Sequence, residues 1–151
     1  MKRIALITAI LLTTSMRHPV SARLIDARTF DELFAKADFV VIAKPISSTR
    51  DTPERSVLHD IREPVIGVVT EFQTLLTLKG IKRERFILHH YRLVPSNVAL
   101  VNGATLLRFD PEQDHRPYLL FLVREPDGRF GPVASQTDLD VSVRQVGGIA
   151  E

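Results

Sequence analysis

The chain has 151 residues and no cysteine, which excludes disulfides, thiol catalysis and thiolate metal sites. Its formal net charge of +2 arises in residues 1–22, which hold three basic side chains and no acidic one; the remainder carries 17 basic and 18 acidic side chains. Because this remainder is nearly neutral, it has no general electrostatic attraction to nucleic acid or to an anionic membrane.

The first 22 residues have the order of parts that is typical of a secretory signal. Lys2 and Arg3 precede the nine-residue apolar run 4–12, and small or compact residues stand at Val20 and Ala22. The run is well short of the roughly 20 residues that a membrane-spanning helix needs. We therefore predict a cleaved signal peptide over 1–22, one domain over 23–151, and export to the periplasm or the extracellular space.

The first predicted elements are a helix, a strand and a loop. Thr29 and Glu32 fit a capping box, and the apolar residues that follow have helical spacing, so we predict a helix over 30–37. Residues 39–43 are rich in β-branched side chains and predict a strand. Residues 48–64 contain seven charged residues and two prolines, which predicts an exposed, mobile loop.

Later segments alternate between apolar runs and turns. Five of them are predicted as strands: 65–78, 85–93, 105–109, 118–123 and 130–134. The unbroken apolar run at 118–123 indicates burial on both faces, and Pro126, Asp127 and Gly128 predict a hairpin turn after it. The pattern at 138–146 fits either a strand or a short helical turn.

The order of these elements predicts the fold class. One short N-terminal helix precedes five or six strands, and the strands do not alternate with helices, so a parallel α/β sheet is disfavoured. At this size a closed barrel removes exposed strand edges most completely. We expect a mainly β protein, a small antiparallel OB-like barrel.

The order of several short motifs resembles a known family. These motifs are Ala37-Asp38 before a strand, Leu78-Lys79-Gly80, Pro117–Leu122, Asp127–Phe130 and Ser142-Val143-Arg144. Over about residues 37–146 the chain resembles exported bacterial OB-fold domains of the netrin-like type, which are related in shape to tissue inhibitors of metalloproteinases. The resemblance implies a barrel. The inhibitors' mechanism depends on an N-terminal cysteine, so it does not carry over, and shape alone does not set function.

The histidines are the first candidates for metal binding or catalysis. His89 and His90 are neighbours on a predicted strand, so their side chains point to opposite faces and cannot bind one metal together. We expect one of them to be half-buried and the other to lie at the surface. An alternative function is a histidine-based metal-binding protein or hydrolase, in which His115 or His59 joins one of this pair.

Other candidate sites are weaker. The acidic residues of 110–114 and the basic residues of 82–85 are both predicted to be solvated turns. The chain has no G-x-S-x-G elbow and no glycine-rich phosphate loop, so it predicts no cofactor and favours a non-enzymatic protein.

The predicted loops provide the leading functional hypothesis. We expect an exported, non-enzymatic module that recognises a protein or small ligand through 48–64 and 94–104, with neither nucleic-acid binding nor membrane insertion after cleavage. In 48–64, the apolar residues among charged ones are typical of a segment that orders against a partner. The predicted ligand-binding residues there are Arg55, His59, Asp60 and Arg62. A structural component of the cell envelope is a further possibility.

Overall fold

The computed structural model describes residues 28–57, 64–95, 106–109, 111–112, 116–134 and 142–147. One helix and seven strands lie within these ranges: α1 (Phe30–Lys36), β1 (Phe39–Pro45), β2 (Arg50–Val57), β3 (Pro64–Lys79), β4 (Arg85–Leu93), β5 (Tyr118–Arg124), β6 (Phe130–Pro132) and β7 (Val143–Gln145). The predicted mainly β class is confirmed. None of the helical segments in these ranges is long and apolar enough to cross a membrane.

Five strands close into a barrel. The ring runs β1-β3-β4-β6-β5 and returns to β1, while β2 pairs with β3 and β7 pairs with β5 outside the ring. Four of the ring pairings are antiparallel, and β4 and β6 are parallel where Leu88 lies opposite Phe130. A closed ring with an odd number of strands cannot alternate in direction throughout, so one parallel pair is unavoidable. The architecture is compatible with an OB-like barrel.

Helix α1 begins where the sequence predicts. The Thr29 hydroxyl accepts from the backbone N–H of Glu32 at 3.3 Å, and the Glu32 carboxylate accepts from the backbone N–H of Thr29 at 2.8 Å. This reciprocal box pairs two donors that the first helical turn would leave free. Leu33 and Ala37 are buried in a cluster that includes Phe121, so the helix covers the outside of β1 and β5.

The barrel interior is filled by aromatic and aliphatic side chains. Leu120 and Leu122 belong to this interior cluster, whereas Phe121, between them in sequence, lies under α1. The predicted burial of both faces of this run is therefore confirmed. Five phenylalanines pack in edge, tilted and stacked contacts at the centre: Phe39, Phe72, Phe86, Phe109 and Phe130.

The prediction of a loop over 48–64 is wrong for the part that forms β2. Strand β2 pairs with β3 from Arg50 opposite Val69 to Val57 opposite Pro64. Strand β1 occupies the same edge of β3 further along and ends at Pro45, opposite Phe72. The β3 edge beyond that point offers free backbone hydrogen-bonding groups to β2, and such groups stabilise a strand whatever its side chains are.

A second correction concerns the strand predicted at 105–109. Residues 106–109 have no strand pairing, although Leu106, Leu107 and Phe109 are all buried. Their apolar pattern therefore reflects side-chain packing into the core, because a segment can bury apolar groups without joining a hydrogen-bonded ladder. Residue 105 lies outside the described ranges.

Candidate functional site

A cluster of charged and polar side chains lies on the outside of the barrel, where three elements meet. Strand β2, strand β4 and the turn between β5 and β6 each contribute to it. We call it the His89 cluster, and its members are Glu54, His89, Tyr91, Glu125 and Arg129.

His89 is the centre of this cluster. Its Nδ1 lies 2.7 Å from Oε1 of Glu125, and its Nε2 lies 3.2 Å from Oε2 of Glu54. The side chain of His89 is only 4% exposed. A carboxylate can only accept, so Nδ1 carries a proton in the contact with Glu125. The ring thus lies between two carboxylates, one near each of its nitrogens.

Tyr91 joins the same Glu54 carboxylate from the next outward position of β4. The phenol donates to Oε1 of Glu54 with 2.5 Å between the oxygens. Burial raises the pKa of Tyr91 well above its usual range, and the hydrogen bond and negative charge of Glu54 raise it further. The phenol therefore stays protonated near neutral pH and remains the hydrogen-bond donor to Glu54.

The turn between β5 and β6 is held in shape beside the histidine. The backbone N–H of Glu125 donates to the Arg129 carbonyl at 2.9 Å, and Gly128 adopts a φ of +90°. The Arg129 guanidinium lies 3.3 Å from Glu125 and contacts Asp127. The backbone N–H of Arg129 donates to the Asp127 carboxylate, which lowers the pKa of Asp127. Arg129 thus offsets the negative charge that the carboxylates bring together.

Two glycines provide the space for these carboxylates. A Cβ atom on Gly67 of β3 would lie 2.8 Å from Oγ1 of Thr52 and 2.9 Å from Cβ of Glu54. A Cβ atom on Gly131 of β6 would lie 3.0 Å from Oε1 of Glu125. All three distances are below ordinary van der Waals contact, so this arrangement depends on the absence of a side chain at both glycines.

Two other charged groups of β2, Asp51 and Arg55, are tied to the barrel or to their own strand. Arg92 of β4 donates to the Asp51 carboxylate through Nε at 2.8 Å and through a terminal nitrogen, and this hydrogen bond lowers the pKa of Asp51. Arg55, one of the predicted ligand-binding residues, is exposed and donates to the backbone carbonyls of Thr52 and Glu54. The other three, His59, Asp60 and Arg62, lie outside the described residues.

His90 points into the barrel, away from His89. Its Nε2 lies 2.9 Å from the Thr70 hydroxyl, and its ring packs edge-on against Phe109 at 5.2 Å. Burial lowers the pKa of His90 to about 4, with a further lowering from the charge of His89. The prediction of opposite faces is confirmed. The prediction of one half-buried and one surface histidine is wrong, because His89 and His90 are 3% and 1% exposed.

The geometry also bears on the predicted metal and hydrolase chemistry. Within the described ranges, no three histidine and carboxylate side chains converge on one point as metal ligands. Glu54 and Glu125 approach His89 at its two different ring nitrogens. A catalytic histidine held by a carboxylate on Nδ1 uses Nε2 as its base, but here Nε2 faces Glu54. The cluster joins β2, β4 and the turn after β5 through polar contacts. His115 lies outside the described ranges.

The sequence did not single out Glu54, Tyr91, Glu125 or Arg129. Each of these residue types is common in strands or turns, so its local sequence is not distinctive. Only the pairing of β2 with β3 brings Glu54 over Gly67. A glycine within the apolar strand 64–79 was the one available signal, because such a glycine often marks a close approach by another segment.

The fold and this cluster define a small, mainly β barrel of OB-like shape with a charged strand fastened to its outer surface. No known family model matches the chain, and no curated protein is similar to it.

Proposed function

We propose that the chain is an exported, non-enzymatic binding module that recognises a protein or small ligand through β2 and residues 58–63. The observation that carries the proposal is the contrast between the exposure of β2 and its fixed position. Six of its eight residues are exposed, yet polar contacts to the barrel hold the strand in place.

The energetics of β2 indicate that it is a surface strand and does not belong to the hydrophobic core. Its burial pattern contains no buried residue, so apolar burial contributes little to its position. Backbone pairing with β3 and three side-chain contacts hold it instead: the Thr52 hydroxyl donates to the Gly67 carbonyl at 2.8 Å, Glu54 accepts from Tyr91, and Asp51 pairs with Arg92. Fixing a charged strand in advance lowers the conformational cost of binding a partner.

The predicted ligand-binding residues fit this arrangement. Arg55 is on β2, and the strand leads at Val57, 62% exposed, directly into the segment that holds His59, Asp60 and Arg62. An exposed apolar residue among charged ones is suited to a partner surface with a small apolar contact and a polar rim. Export and the netrin-like relationship remain part of the proposal and rest on the signal-like residues 1–22 and the motif order of 37–146.

Site-specific photo-crosslinking in the native compartment tests this function. A photoreactive residue at Val57 should give a discrete crosslinked adduct with a partner. The matched control is Ile87, which is 40% exposed on β4 opposite Glu71, beyond the part of β3 that β2 covers. Equal adducts at the two positions, or none at Val57, would contradict recognition through β2.

A further inference from the structure

The end of β3 and the turn that follows it expose four large apolar side chains to solvent. We call residues 75–83 the β3–β4 tip. Its exposed apolar residues are Leu75 at 51%, Leu76 at 52%, Leu78 at 47% and Ile81 at 76%. Exposed apolar groups that lie close together, in contrast to isolated ones, mark interaction surfaces.

Two irregularities in the β1–β3 pairing account for the positions of Leu75 and Leu78. Val40 pairs with Lys79 and Val41 pairs with Thr77, so the β3 residue between them, Leu78, has no β1 partner. The same happens at Leu75, between the partners of Ile42 and Ala43. An extra residue in one strand redirects the side chains on that strand. Each irregularity therefore puts a leucine outside the regular alternation of β3.

The inward side of the same segment shows the converse pattern. The hydroxyl oxygens of Thr74 and Thr77 are buried, and neither has a hydrogen-bond partner among the described residues. Burying a hydroxyl without a partner and exposing a leucine both cost free energy. A segment that places polar atoms inside and apolar atoms outside is suited to an apolar environment beyond the protein surface.

The charge of the β3–β4 tip is uniformly positive. It contains Lys79, Lys82 and Arg83 and no acidic residue. The Lys79 ammonium donates to the Phe34 and Ala35 carbonyls at 2.6 and 3.2 Å and lies over the Phe34 ring, which is itself 42% exposed. Lys82 is exposed beside Ile81, the most exposed apolar residue of the tip. The surface thus combines apolar side chains with cations.

We propose that the β3–β4 tip docks the protein onto an anionic lipid bilayer, with its leucines and Ile81 in the interface and its cations at the headgroups. Apolar side chains flanked by Lys and Arg are the combination that binds peripherally to such surfaces. The free energy of burying apolar side chains in the interface adds to the attraction between the cations and the anionic headgroups. The positive charge favours anionic lipid over a neutral bilayer. This surface is separate from β2, and the proposal does not depend on the proposed binding function.

Vesicle flotation of the full chain tests the proposal. Phosphatidylglycerol-containing vesicles should bind the protein more tightly than phosphatidylcholine vesicles, and about 1 M salt should weaken the binding by screening the charges. Leu78→Ser with Ile81→Ser should lower the partition coefficient at least about tenfold. Lys82→Glu should lower it on anionic vesicles by a similar factor and leave binding to neutral vesicles unchanged.

The matched control is Val57→Ser, which removes an apolar side chain of comparable exposure on β2. All of these chains carry the same residues 1–22, so any contribution of that apolar run is common to them, and circular dichroism checks that each variant is folded. If the variant with Leu78→Ser and Ile81→Ser does not fold, the vesicle binding of Lys82→Glu tests the proposal by itself. Unchanged vesicle binding in the variants, an equal loss with Val57→Ser, or self-association without vesicle binding would overturn the proposal.

Discussion

Tyr91 and Glu54 are joined by a hydrogen bond of 2.5 Å that spans β3, because β4 and β2 lie on its two sides. The β3 residue between them is Gly67, which pairs with Tyr91 and lies under Glu54. A side chain at that position would separate the two oxygens. One short contact therefore depends on three strands and on one missing Cβ atom.

The first prediction concerns the alkaline titration of Tyr91. Its folded-state pKa is raised by burial and by Glu54, so above about pH 10 the phenol ionises first in the unfolded chain and stability falls as pH rises. Ultraviolet difference titration of the folded protein should show a late ionisation step that contains Tyr91, and Tyr91→Phe should reduce the amplitude of that step by one tyrosine. Glu54→Gln should shift the Tyr91 contribution to lower pH. A late step of unchanged amplitude in Tyr91→Phe would contradict the assignment.

The second prediction concerns Gly67. Gly67→Ala should destabilise the protein by roughly 1–3 kcal/mol, because the new Cβ atom would collide with Thr52 and Glu54. The matched control is Gly147→Ala, since a Cβ atom there meets nothing within 4 Å. Denaturant unfolding gives both values. A cost below about 0.5 kcal/mol for Gly67→Ala, the level of an ordinary surface substitution, would show that β2 does not cover this glycine.

The third prediction concerns stability in acid. Because burial lowers the pKa of His90 to about 4, the unfolded chain binds a proton at higher pH than the folded one. Stability should therefore fall as pH drops from about 6.5 towards 4, by an amount of the order of 3 kcal/mol from this residue.

Unfolding free energies measured across that range for wild type and His90→Gln test this expectation. The variant has no titrating side chain at position 90, so its curve should be flatter between pH 6.5 and 4. Other titrating groups contribute to both curves, and the difference between the curves isolates His90. Parallel curves would show that His90 keeps an ordinary pKa.

The fourth prediction concerns the layer under α1. Phe121 is 3% exposed, and its ring lies 5.8 Å from that of Phe30. Phe121→Ala should cost roughly 3–5 kcal/mol, the range for emptying a buried aromatic site. Leu76→Ala, on an exposed side chain, should cost less than about 1 kcal/mol. Similar losses in the two variants, by chemical denaturation, would contradict the position of Phe121 under the helix.

The fifth prediction concerns export. Intact mass of the protein recovered from the export compartment should correspond to a chain that begins at or near Arg23, because the small or compact residues at Val20 and Ala22 suit cleavage there. Ala22→Asp should block that cleavage and leave the N-terminal residues attached. Exported wild-type protein that still begins at Met1 would exclude a cleaved signal peptide.

Local patterns determined much of the fold. The capping box at Thr29 and Glu32, the β-branched run that became β1 and the apolar run that became β5 were each predictable from residues close in sequence. Such signals are reliable because hydrogen bonding and burial within one helix or strand depend on residue spacing along the chain. The opposite directions of His89 and His90 followed from the same two-residue period.

Tertiary structure alone decided β2 and the His89 cluster. The sequence of 50–57 is polar, and it forms a strand because β3 continues past the end of β1 and offers an unpaired edge. His89 is buried on the outside of the barrel because Glu54 and Glu125, from β2 and from the turn after β5, cover it. These partners are distant in sequence, and the free energy that joins them arises only when the barrel has closed. No local spacing rule contains that information.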